Sequence, residues 1–275
     1  MGSGAATERS AFLDLVRLEL ACLVIFSHSF GLFTGAEPGA FGDTLGGWAV
    51  RGFFLLSGCL IAKSWLSDTN LIRFTRRRFA RIVPAFVVAF VLSVALGVAF
   101  GARPPLSLAR DLALLLPPDM LAFPGSRGAF VNGPMGTIHW EVLCYAATPL
   151  LFSLPARRLW LICAWAAAAA TTLTAGLGPP LYLLCFLTGA AASALPGHLP
   201  PMRLKLPDVS YGTYLYGWPV QKALVALGVG NPWTLFALAL PVSLALGYAS
   251  CILIERPAMA FGRVRRASIV TTAIA

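Results

Sequence analysis

The sequence predicts an all-α, polytopic transmembrane helical bundle of about eight spans, and three observations predict it. Of its 275 residues, 58% are apolar and 12% are charged, about half the ~25% charged share of a soluble domain. The apolar residues gather into a series of runs near the ~20 residues that a helix needs to cross a bilayer. The Lys and Arg residues that make the net charge +10 gather at the ends of those runs. That placement is a positive-inside signal and argues against a nucleic-acid surface.

The first run, 11–33, carries Asp14, Arg17 and Glu19. A cleavable signal keeps its apolar stretch free of charge, so this run predicts a retained helix. The link 34–47 holds Glu37 and Asp43 and no Lys or Arg, and the second run, 48–66, follows it. The link 63–81 is rich in Arg, and the third run is 82–100. The stretch 106–123 is broken by Arg110, Asp111 and Pro117-Pro118 and predicts no span. Five more runs follow at 138–154, 158–175, 180–195, 210–227 and 233–254. Several contain Pro or Gly, which membrane helices tolerate. A count of nine or ten spans stays open. Residues 1–275 read as one integral membrane domain, with no soluble domain at either end.

Orientation follows from the basic residues. Eight spans with both termini in the cytoplasm put fifteen Lys and Arg inside and three (Arg103, Arg110, Arg127) outside. Letting 106–123 span moves Arg157-Arg158 outside and spoils the bias. The six cysteines all lie in apolar runs without CxxC or Cys/His spacing. They predict neither a metal site nor disulfides, and behave as small apolar residues.

An ionisable group inside a membrane helix is costly, and each is a functional candidate. Arg17 and His28 are eleven residues apart, only about 20° from three full turns, so they share one helix face ~16 Å apart along the axis. They read equally as a snorkelling cation and a satisfied core histidine. Glu141, in GTIHWEVLCY, lies at the same predicted depth as His28. A carboxylate paired with an imidazole sets its tautomer and basicity, as a general base needs; an interfacial acid near water is the alternative. His139, two positions away, faces elsewhere and reads as structural. The run RFTRRRFARIVP places Arg73, Arg76, Arg77, Arg78 and Arg81 at the cytoplasmic surface. These serve topology and lipid headgroups, or clamp phosphate with their forked donors.

These pieces, in this order, resemble the acyltransferase-3 family of bacterial membrane proteins. The resemblance rests on Leu13-Asp14 with Arg17 to His28, AVRGFFLLSGCLI from Ala49 to Ile61, the Arg-rich link ending Arg78 to Pro84, and Asn132-Gly133 with Glu141 and Tyr145. SYGTYLYGWPVQ from Ser210 to Gln221 and the closing Glu255 to Pro257 complete it. It implies an acyl-coenzyme A donor, most simply acetyl-coenzyme A, on the cytoplasmic side. It implies a hydroxyl of a glycan or lipid-linked sugar as acceptor outside, in the cell inner or plasma membrane. His28, Glu141 and Arg17 look like the family's catalytic residues, and the Arg-rich link like its donor site. Three features depart from the family: about two spans are missing between Ala194 and Ser210, Gly136 stands where a Trp is common, and Arg51 where an acid is common.

The expected function is O-acyl transfer, with His28 oriented by Glu141 as base. Membrane lipids are partners and nucleic acid is not; no metal is expected. A transporter or channel also uses intramembrane Arg, His and Glu, but no internal repeat with interrupted helices is visible. A catalytically degenerate member would have lost the motif residues, and they are present.

Overall fold

The computed structural model describes residues 2–119, 131–154, 157–175, 178–193 and 207–262; of residues 2–10, 157–160 and 173–175 it describes the backbone alone. The expected basic residues Arg127, Arg203, Lys205, Arg263, Arg265 and Arg266 lie outside the described residues, as does the connection 194–206.

The described chain is a helical bundle. Its helices are α1 (Gly2–Thr34), α2 (Leu45–Ser67), α3 (Leu71–Ala99), α4 (Leu108–Ala113), α5 (Gly136–Ser153), α6 (Arg157–Ala175), α7 (Pro179–Ala192), α8 (Ser210–Ala226) and α9 (Pro232–Ser250). A π-helical turn, Cys251–Glu255, joins α9 to α10 (Arg256–Gly262). A helix stands at each of the eight expected spans. Four stretches are long and apolar enough to cross a membrane: Ala11–Thr34, Leu45–Ser67, Leu71–Ala99 and Pro232–Gly262. The helices α5 to α8 run 14 to 19 residues, so several fall short of the ~20-residue length. The stretch around 106–119 forms only the six-residue α4.

Two links differ from a plain loop. The link before α2 folds into a two-residue antiparallel hairpin, β1 (Gly39–Ala40) with β2 (Asp43–Thr44). Its turn uses Phe41 at φ 53° and Gly42 at φ 82°. Thr44 then caps α2 by accepting a hydrogen bond from the Gly47 N–H at 2.9 Å, satisfying one of the orphan donors of a helix start. The Arg-rich link is helical from Leu71, eleven residues earlier than the apolar run alone suggests. Asn70 caps it through the Arg73 N–H at 2.9 Å. All five candidate arginines therefore ride on α3, their positions set by helical geometry.

Packing in a bilayer gains little from hydrophobicity, so close backbone approach matters more. The α2–α7 contact is of this kind. A Cβ at Gly58 would lie 1.9 Å from the Phe186 carbonyl oxygen, and one at Gly189 1.9 Å from that of Leu55. Helix α8 lies between α1, α9 and α3, with Tyr211, Tyr214, Leu215 and Tyr216 buried in the main core beside Ile82, Phe86 and Met135. The fully buried Asn132 donates to Leu215 O at 2.8 Å and Ser93 Oγ at 3.1 Å. It thereby ties the entry of α5, which carries Glu141, to α8 and α3.

The α2–α7 contact leads to a test. Gly58→Ala sets a methyl against a backbone oxygen that no rotamer change can move. It is expected to lower the thermal midpoint of the purified protein by several degrees or prevent its recovery as a single species. Gly178→Ala, whose nearest neighbour atom is 3.9 Å away, is expected to behave as wild type in the same melt.

Candidate active site

One end of the bundle holds a charged knot. Arg17 on α1 donates through Nη1 to Asp208 Oδ2 at 2.9 Å. Arg81 on α3 pairs with the same Asp208 oxygen and, at 2.9 Å, with Glu255 of the π-helical turn. Ser210 Oγ donates to the other Asp208 oxygen at 2.5 Å, and Ser250 Oγ to Glu255 at 3.2 Å. Two cations and two carboxylates thus join α1, α3, α8 and the end of α9. Burial pushes the Asp208 carboxyl up, but the Arg17 and Arg81 charges and the Ser210 hydrogen bonds outweigh it and hold it well below its ordinary value.

The remaining arginines of α3 lie toward the same end. Arg73 grips Asp68 with two donors, at 2.9 and 2.6 Å, and Arg77 takes the same carboxylate at 2.9 Å. These two arginines hold the Asp68 carboxyl far below its ordinary range. Arg76 donates to a neutral partner, Phe261 O, at 2.6 Å. Arg78 donates to Ser64 Oγ at 3.2 Å and lies against the Phe74 and Tyr145 rings.

Above the knot lies a small cavity of about 40 Å³, lined by Arg17, Ser57, Thr137, Glu141, Tyr211 and Tyr214 among others. Glu141 on α5 accepts from Ser57 Oγ at 3.2 Å and from the Tyr145 hydroxyl one turn on. Helical spacing makes the second contact natural, since i and i+4 share a face. Tyr214 donates to Pro134 O at 2.9 Å, fixing that wall.

His28 sits on the same helix as Arg17, ~16 Å further along it. Its Nδ1 lies 2.6 Å from Glu37 Oε1, in the link that follows α1. The other Glu37 oxygen accepts from Ser27 Oγ at 2.5 Å, and Ser27 accepts from the Gly46 N–H at 2.9 Å. The Trp218 ring meets the imidazole edge-on at 4.8 Å. Burial pushes the Glu37 carboxyl up, but the hydrogen bond and charge of His28, with bonds from Ser27 and Thr44, outweigh it and hold it below its ordinary value. An ionised carboxylate only accepts, so Nδ1 of His28 is the donor of this contact, which leaves Nε2 as the acceptor whenever the ring is neutral.

The structure therefore replaces the pairing read from the sequence. Glu37 holds His28, and Glu141 belongs to the Arg17 cavity. In the sequence Glu37 reads only as an acid in a link free of Lys and Arg. Its signal is its position nine residues after His28, just past the helix end, where a returning chain meets the last turn again. Asp208 and Glu255 were also missed as partners. Their signal was two lone acids in a basic chain, each beside an apolar helix. His139 contacts the Leu114 carbonyl at 3.0 Å, outside both clusters.

Comparison with known proteins follows the same lines. The chain matches the acyltransferase-3 family, described as an acyltransferase domain, over residues 10–207. An O-acetyl transferase of Shigella phage Sf6 is 41% identical over 80 residues, 29% of this chain and 24% of the relative. The acyltransferase MdmB of Streptomyces mycarofaciens is 32% identical over 185 residues, 58% of this chain and 44% of the relative. These two matches span less than half of either relative. Nodulation protein 10 of Rhizobium leguminosarum bv. viciae is 24% identical, covering 90% of this chain and 92% of the relative. No solved structure matches the chain.

The knot generates a prediction about acid. Asp208 is depressed in the folded state, so its contribution is present above its unfolded value of 3.8 and is lost only as pH falls through the lower folded value. Wild type should keep the Asp208 part of the knot's stabilisation down to about pH 4. Asp208→Asn leaves two arginines facing one carboxylate and should cost about 3–5 kcal/mol at neutral pH. Thermal unfolding across the acid range checks both; an Asn variant as stable as wild type at pH 7 contradicts the account.

Proposed function

The chain belongs to the acyltransferase-3 family, and from that membership we propose that it is a membrane O-acyltransferase. It moves an acyl group, acetyl in the first instance, from acyl-coenzyme A to a hydroxyl of a cell-surface or exported glycan. The observation that carries this reading is the His28–Glu37 contact at 2.6 Å. It supplies an oriented imidazole, which an alcohol needs if it is to attack a thioester.

The step balances simply. His28 takes the proton of the acceptor hydroxyl at Nε2 as that oxygen bonds to the thioester carbonyl carbon. The tetrahedral intermediate collapses, the carbon–sulfur bond breaks, and the leaving thiolate recovers the proton from the imidazolium. Glu37 stays ionised and stabilises the imidazolium, the task of the carboxylate in other His–carboxylate pairs. Glu141 serves the cavity below, where it fixes Ser57 and Tyr145 beside Arg17.

The donor side follows from the charge distribution. Arg73 and Arg77 share the Asp68 carboxylate while Arg76 and Arg78 hold neutral partners, and this excess of cations suits the phosphates of coenzyme A. Arg76 is the strongest of them, because it is exposed and its partner is a backbone carbonyl rather than an acid. Arg81 is enclosed by Asp208 and Glu255 and serves the knot instead. The positive-inside rule puts this end, and both termini, in the cytoplasm of an inner or plasma membrane, and His28 toward the outside. The cavity of about 40 Å³ between the two ends, lined by Phe53 and Tyr214 among others, is the route we assign to the thioester arm.

The test is a proteoliposome assay with labelled acyl-coenzyme A on one face and a glycan acceptor on the other, scored as acylated product per inserted protein. His28→Ala should lose about 10²–10⁴-fold. Glu37→Gln should fall at least as far as Glu141→Gln, since the amide can hold the ring in the wrong tautomer. Near-normal product from His28→Ala rules out the base assigned here; label that crosses unmodified favours transport. Separately, Arg76→Gln should weaken donor binding about tenfold or more, the loss of one charge-assisted hydrogen bond of about 1.5–3 kcal/mol.

A further inference from the structure

The link between α1 and α2 carries two acids, and each reaches a different helix. Glu37 returns to His28 and Ser27 on α1. Asp43, across the β1–β2 hairpin, forms an ion pair with Arg51 on α2. Arg51 is 4% exposed, and the reaction as described makes no use of it. Its guanidinium stacks 4.8 Å from the Trp48 ring centre, and the Trp48 indole donates to Ala40 O at 2.8 Å. The Leu45 N–H donates to Pro38 O at 2.8 Å. Two glycines make room for the acids. A Cβ at Gly46 would lie 3.0 Å from a Glu37 oxygen, and one at Gly47 2.7 Å from an Asp43 oxygen.

A short strap like this is held only by its attachments, because ordering each residue costs about 1–2 kcal/mol of backbone entropy. On the α1 side the attachment is Glu37 itself, so it cannot also be what holds Glu37 in place. On the α2 side the attachments are the Thr44 cap, the Trp48 hydrogen bond and the Asp43–Arg51 pair. The ion pair is the most buried of these, and losing either partner leaves a charge stranded in a poorly hydrated place. Two further Arg51 nitrogens, Nε and Nη1, are buried without a hydrogen-bond partner. Among the described residues, Asp43 is the one carboxylate paired with this guanidinium.

We propose that Arg51 is a positioning residue for acyl transfer: its ion pair with Asp43 pins the 35–44 strap to α2 and so keeps Glu37 on Nδ1 of His28. The inference rests on His28 being the base, and it adds a residue that acts two contacts away from the ring. Arg51 touches no reacting atom. Its effect runs through Asp43, the hairpin and Glu37 to the tautomer of the imidazole.

The test reads the imidazole directly. Full-length protein labelled with ¹⁵N-histidine is reconstituted in nanodiscs, and the His28 signals are assigned by their loss in His28→Gln. Wild type should show one tautomer, with the proton on Nδ1. Arg51→Gln should show a mixture, and Arg51→Lys should return most of the wild-type pattern. In the transfer assay Arg51→Gln should lower kcat about 10- to 100-fold, the scale of a remote misplacement, with KM for donor and acceptor little changed. In a Glu37→Gln background it should add no further loss, because both changes remove one effect. A wild-type tautomer pattern in Arg51→Gln, or losses that multiply with those of Glu37→Gln, overturns the proposal. Should Arg51→Gln fail to fold, Asp43→Asn breaks the same pair from the strap side and carries the same expectations. The two readings separate cleanly: full transfer by His28→Ala with a disturbed tautomer in Arg51→Gln removes the base and leaves the clamp standing.

Discussion

The Arg17–Asp208–Arg81–Glu255 knot is the constraint on which the rest of the bundle depends. Four charges in a helical membrane bundle are costly unless each is paired and hydrogen-bonded. Here the pairing is possible only if α1, α3, the start of α8 and the turn after α9 arrive at one point. Apolar packing in lipid allows helices to slide and rotate with little penalty, since lipid tails are as apolar as leucine. The knot removes that freedom. It fixes the rotation of α1 about its axis, and with it the direction in which His28 points three turns further on.

Rotation alone does not make an active imidazole, and the two ends of α1 divide the work accordingly. At the knot, Arg17 is satisfied by Asp208 and lines the cavity that Glu141 shares. At the other end, His28 meets a carboxylate delivered by a link rather than by a neighbouring helix. A link acid can return to the last turns of the helix it leaves. An acid on another helix is held at a depth and rotation already set by packing. Glu141 shows that second case: its hydrogen bonds go to its own helix, through Tyr145, and to α2, through Ser57. The arrangement keeps one carboxylate for the ring and another for the cavity, so neither must serve both.

These differences also explain what could be read from the sequence. The eight helix positions were legible because apolar runs and their basic flanks are written locally. The shared face of Arg17 and His28 was legible for the same reason, as helical periodicity relates residues within one element. The partner of His28 was not legible, because predicted depth placed Glu141 level with it while the hairpin's return path was unknown. The arginine run was legible as a cluster, but its division into surface cations and one structural cation was not. That division depends on Asp208 and Glu255, which lie 127 and 174 residues from Arg81. Helix capping extended α3 back over the run; the Asn70 cap is a local signal that charge counting had passed over.

The resemblance read from the sequence puts the missing spans between Ala194 and Ser210, just upstream of Asp208 in the knot. The alignment with nodulation protein 10 runs to 338 positions, more than the 275 residues present here, so that relative carries segments this chain lacks. Among the described residues, the candidate groups draw their contacts from α1, α2, α3, α5, α8, the strap and the turn after α9. Among the described residues of the knot, Asp208 stands nearest that connection, two residues before α8, held by Ser210. The anchoring of α8 to α1 and α3 therefore rests on Asp208 and Ser210 themselves, and asks nothing of the chain before residue 207.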